Sequence, residues 1–104
     1  MIRKYSVLMG RVEGNSRFHP HVVVGYDQGK LVTVNLTSES KVKGKRVYRL
    51  YKNPKVSYAV NELYIKPLGE YQLPEGKWVV SGKDKKILDR IYFSNVGKPL
   101  KVHK

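Results

Sequence analysis

The sequence predicts a mainly β domain with one C-terminal helix, an α+β chain built on antiparallel strands. Three observations predict it. Short apolar and β-branched runs recur between turn residues from Tyr5 to Val80, the stretch from Ser16 to Ser38 is written as a hairpin, and the one strong helical period follows Ser81. A chain of 104 residues has room for one domain. A domain of that size buries roughly 60 to 70% of its unfolded surface, enough for one core without covalent staples. The domain is assigned to 1–97, with a helix at about 82–93, and 98–104 is read as a basic tail.

The first strand is placed at Tyr5 to Val12 (YSVLMGRV), with Gly14-Asn15 as the turn behind it. Gly10 marks a bulge or bend of the kind small barrels need at corners. Next come Val22 to Val24 and Leu31 to Leu36, separated by Asp27-Gln28-Gly29, where the glycine can take φ > 0. Arg46 to Tyr51 (RVYRLY) alternates as a half-exposed strand, with Val47, Arg49 and Tyr51 on one face and Arg46, Tyr48 and Leu50 on the other. After the Asn53-Pro54 turn, Lys55 to Lys66 reads as a strand broken near Asn61-Glu62. Two prolines and two glycines make Lys66 to Lys77 a loop, and Trp78-Val79-Val80 reads as a final strand.

Ser81 opens the helix, its hydroxyl at the N-cap and Asp84 three residues on, close to a capping box. Ile87, Leu88, Ile91 and Tyr92 then repeat on one face, and Lys85, Lys86, Asp89 and Arg90 take the other. Lys98 to Lys104 is a basic tail or a short edge strand.

Charge is the strongest compositional signal: 21 Lys and Arg against 8 Asp and Glu give +13. Such a balance favours polyanions through counterion release and steering, and it does not separate RNA, a ribonucleoprotein, DNA and an acidic protein as partner. Positive charge is densest from Lys41 to Lys55, where Lys43, Lys45, Arg46, Arg49, Lys52 and Lys55 stand with no acid among them. Tyr48 and Tyr51 interleave with these cations, so the strand can offer charge to a backbone and rings to bases. The bland reading of the same strand is a solvated basic face whose tyrosines close the sheet.

No cysteine is present, which excludes thiol catalysis, disulfides and thiolate metal sites and suits a cytoplasmic address. The apolar run Val7-Leu8-Met9 is too short for a signal peptide or a membrane span, so no membrane partner is expected. His19 and His21 form a His-x-His pair lacking a third ligand, and the dispersed acids make no two-metal cluster. No metal or cofactor is expected.

The candidate site lies where the hairpin strands end. Arg17, His19 and His21 stand before the first strand and Thr37, Ser38 and Lys41 after the second, so antiparallel pairing brings both groups to one end. A guanidinium, imidazoles, hydroxyls and an ammonium gathered there could grip a phosphate or transfer protons on one.

Ser16-Arg17-Phe18-His19-Pro20-His21-Val22-Val23-Val24 and Val34-Asn35-Leu36-Thr37-Ser38 resemble the first half of the MazF, PemK and ToxN group of toxin endoribonucleases. The resemblance covers about the first forty residues and beyond Lys41 only the order of elements. It implies a small SH3-like antiparallel barrel, metal-independent cutting of single-stranded RNA, an antitoxin of protein or RNA as partner, and a homodimer. His19 stands where MazF and PemK carry arginine before the proline, and Lys41 lies one residue late relative to a functional lysine of the ToxN branch. Under that resemblance His19 is the first choice for general acid or base and His21 the second, Arg17 and Lys41 hold the phosphate, and Thr37 and Ser38 bond its oxygens. From another class comes a non-catalytic binder or inhibitor from a phage or other mobile element, acting against a nucleic acid or nucleoprotein in an anti-defence role. A structural module of an RNA particle is a third class that the charge allows.

Overall fold

In the computed structural model, which describes residues 2–11, 17–51, 58–76, 78–97 and 101–102, the chain is organised on the central hairpin. Strands β2 (Phe18–Asp27) and β3 (Lys30–Thr37) pair antiparallel across Gln28-Gly29. Both turn residues take positive φ, 49° and 78°, as a two-residue turn matched to the strand twist requires. Strand β1 (Val7–Arg11) adds to the outer side of β2. The far side of β3 is shared: β6 (Tyr64–Lys66) pairs with its first half and β5 (Tyr58–Val60) with its last residues, while β4 (Val47–Arg49) pairs with β5. Strand β7 (Lys101–Val102) lies parallel to β6, so part of the segment read as a tail is an edge strand.

The fold is mainly antiparallel β with one helix near the C-terminal end of the sequence, α1 (Gly82–Asn95). Among the described residues the sheet runs β1-β2-β3-β5-β4 and does not close, which departs from the SH3-like barrel that the resemblance implied. The strands at the two ends of that order, β1 and β4, do not pair with each other, and β3 changes partner from β6 to β5 between Thr33 and Leu36.

Two residue sets alternate along the strands. Val7, Val22, Val24, Val32, Val34, Leu36 and Ala59 face α1 and meet its buried Leu88 and Ile91. The helix begins as expected: Ser81 Oγ accepts from the Asp84 amide at 3.1 Å. Asp84 is itself buried and accepts the Tyr51 N–H at 2.8 Å, tying the helix start to the chain after β4. A bulge between Val23 and Gly25 turns Val24 and Gly25 to the helix side in succession, and a Cβ on Gly25 would lie 3.3 Å from the Tyr92 ring.

Several expectations are corrected. Gly10 holds an unbroken register with His19, so the bulge is in β2. The glycine serves close approach instead, since a Cβ there would come within 2.8 Å of the Tyr71 ring. Trp78-Val79-Val80 is not a strand; Trp78 and Val80 pack on the helix-side core while Val79 is 66% exposed. This apolar run covers the edge of a core and joins no ladder. The break at Asn61-Glu62 is present, separating β5 from β6. Val12, Gly14-Asn15 and Asn53-Pro54 lie outside the described residues.

Candidate nucleic-acid interface

The sheet face turned away from α1 carries the polar residues. Its register sets Leu8, His21 and Asn35 side by side, then Val23, Thr33 and Tyr64, then Thr37, Tyr58 and Arg49. The middle of this face is closed. His21 is 0% exposed, its Nδ1 lies 3.2 Å from Thr33 Oγ1, and that hydroxyl lies 3.1 Å from the Tyr71 hydroxyl. The rings of Tyr64 and Tyr71 stand edge-on to the imidazole, with centroids 5.6 and 5.9 Å away. Burial pushes the Tyr71 phenol up to about 12, although the Thr33 hydrogen bond pulls the other way. His21 is therefore a packed core residue, and the role of second acid-base group at a surface does not fit it.

A second polar chain borders this cluster. Tyr64 donates its hydroxyl proton to Glu62 Oε2 at 2.7 Å, and the Lys45 ammonium pairs with Glu62 Oε1. Glu62 is almost wholly buried, so the Lys45 charge is largely matched within the protein, which weakens its expected role as a nucleic-acid ligand. Lys66 is buried too, donates to the Arg11 carbonyl, and has its ammonium destabilised by burial.

The open end of the face differs. Arg17 is exposed directly before β2, and His19 and Thr37 are half-buried. His19 follows Arg17 by two residues and shares a face with His21. Thr37 pairs with Tyr58, and Tyr58 pairs with Arg49, so a hydroxyl, a phenol ring and an exposed guanidinium form one row across three strands. The Thr37 hydroxyl accepts the Glu39 N–H at 3.1 Å, which closes the strand end and leaves its own proton to donate. Ser38 and Lys41 are exposed in the connection that follows, as is Lys43. Asn35, between the closed middle and this end, has a buried Oδ1 with no hydrogen-bond partner among the described residues.

The remaining predicted ligands are distributed by strand alternation. Tyr48 packs against the helix-side core with Arg46 over its ring at 5.3 Å, so this pair lies on the opposite side of β4 from Arg49. Tyr51 is 70% exposed with the Lys83 ammonium 5.3 Å from its ring centroid. Lys52 and Lys55 fall outside the described residues. Sequence reasoning missed Tyr58, whose signal was its place in an alternating run, and Glu62, an acid between apolar neighbours in a strongly basic chain. No group of three or more metal-ligating side chains occurs among the described residues, and no helix there is long and apolar enough to cross a membrane. No protein-family model matches the chain, nor does any curated protein or solved structure.

Proposed function

We propose that the chain binds single-stranded RNA on the helix-free sheet face and cleaves its backbone without a metal. The observation that carries this reading is the Thr37–Tyr58–Arg49 row at the end of the face where Arg17 and His19 also stand. Its groups suit what single-stranded RNA offers: a ring for an unstacked base, a guanidinium for phosphate oxygens and a hydroxyl for sugar or phosphate. A formal charge of +13 draws the polyanion in.

For cleavage, the ribose 2′-OH attacks its own phosphate. His19 takes the hydroxyl proton, Arg17 and Arg49 neutralise the charge growing on the phosphorane, and Lys41 or the Tyr58 hydroxyl supplies the proton that the departing 5′ oxygen needs. The burial of His21 favours a second reading, binding without turnover, because it takes the second imidazole away from this surface. An antitoxin or host nucleoprotein as the physiological partner, and a mobile-element origin, belong to these two readings in turn.

The test is incubation of an unstructured RNA with the protein in EDTA. His19→Ala is expected to lower the cleavage rate by about 10²- to 10⁴-fold, the range for removing a positioned acid-base group, with affinity nearly unchanged. Salt-dependent binding with no cleavage by the unaltered protein selects the second reading, and no binding defect on Arg49→Glu overturns both.

A further inference from the structure

The outer side of α1 concentrates cations. Lys83, Lys86 and Arg90 are exposed at helical spacings that place them on one stripe, opposite the buried Leu88 and Ile91. The acids of the helix are occupied elsewhere. Asp84 is buried and accepts the Tyr51 N–H, and Asp89 accepts the Tyr5 hydroxyl proton at 2.7 Å and pairs with Lys4 at 3.6 Å. The stripe therefore presents positive charge with no carboxylate of the helix on its outward side.

The distribution also runs against the helix's own electrostatics. Lysines at 83, 85 and 86 crowd the first turns, where the dipole disfavours cations, and the last turn holds no basic residue. Such an arrangement lowers helix stability, and an anion laid along the stripe would reverse the penalty. Tyrosines brace the lysines. Lys83 lies over Tyr51, and Lys4 and Lys85 lie over the Tyr5 ring at 5.0 and 5.1 Å. Tyr5 holds this position at a φ of 71°, a costly backbone state for an aromatic residue.

We infer that the outer face of α1 is a second RNA-docking surface, holding the phosphate backbone without reading sequence. Charge complementarity argues for it, and the occupant is a second segment of the polymer drawn to the sheet face. This rests on the RNA-binding reading of that face. The helix lies on the other side of the sheet from the Thr37–Tyr58–Arg49 row, so a very short strand cannot occupy both surfaces. The protein then bridges two RNA segments.

The experiment titrates an oligouridine of about 6 nucleotides, within the site size of small binding folds, into the full chain and into a Lys83→Glu, Lys86→Glu, Arg90→Glu variant. Bound equivalents are expected to fall from two to one. The slope of log affinity against log salt for a longer RNA is expected to drop by about 2, at roughly 0.7 for each phosphate that the variant no longer neutralises. The variant's melting temperature should rise, because glutamates suit the first turns, so weaker binding cannot be blamed on unfolding. A fall from one equivalent to none supports the helix surface and removes the sheet-face reading instead. Unchanged stoichiometry and slope overturn the inference, as does a variant that loses poly-glutamate binding but keeps RNA, which would make the stripe an acidic-protein surface.

Discussion

The two faces of the sheet are made by the same strands and stabilised in different ways. Toward α1 the side chains are valine, leucine, isoleucine and alanine, and their hold on the helix is one of shape and apolar area. On the other side the buried set includes His21, Thr33, Glu62, Lys66 and Tyr71, whose burial is tolerable only because they bond to one another, to Tyr64 and Lys45, or to the backbone. The first face should therefore respond to lost volume and the second to lost hydrogen bonds, and only the second continues into an open, basic end where a ligand can meet polar groups.

The largest expected effect is on the apolar side. Ile91→Ala removes a fully buried side chain between helix and sheet and should cost about 2–5 kcal/mol by chemical denaturation. A loss under about 1 kcal/mol would mean that α1 is only loosely docked. Thr33→Val sharpens the contrast, because it keeps the shape and removes the hydroxyl between His21 and Tyr71. It should cost about 1–3 kcal/mol, the range for leaving buried polar groups unsatisfied. The same substitution would be nearly neutral if that bond carried nothing.

Smaller, and specific to the polar face, is an alkaline limb in stability. The folded state holds the Tyr71 proton up to about 12 against an ordinary value of 10.0, so it binds more protons than the unfolded chain in between. This contribution is intact below pH 10.0 and is lost as pH rises toward 12. The slope should be about 1.4 kcal/mol per pH unit in that window. Tyr71→Phe should flatten the slope without removing it, since the partly buried Tyr5, raised by burial, adds one of the same sign. An identical slope in the variant would place Tyr71 in water.

What could be read from the sequence was whatever depends on neighbours along the chain. The hairpin turn at Gln28-Gly29, the Ser81 cap and the Leu88/Ile91 face each follow from residues a few positions apart. What could not be read depends on partners far away. His21 lies in a segment that looks like a surface strand entrance, and only Thr33, Tyr64 and Tyr71 closing over it make it a core residue. Gly10 resembles a bulge signal until the Tyr71 ring arrives across the sheet. Trp78 to Val80 satisfies strand propensity, yet the segment joins no ladder and sets Trp78 and Val80 against the edge of the core. In the candidate site, strand alternation set His19 beside His21, but the Tyr58–Arg49 pairing needed the register of β4 on β5.

A nucleic-acid site at the open end of the sheet can be checked residue by residue, by titrating unstructured RNA and following the backbone amide resonances of the protein. Arg17, His19, Thr37, Arg49 and Tyr58 are expected to shift together and saturate together, while the closed middle around Thr33 stays still. Shifts confined to α1, or spread over the basic surface with the Thr37–Tyr58–Arg49 row unmoved, would contradict such a site.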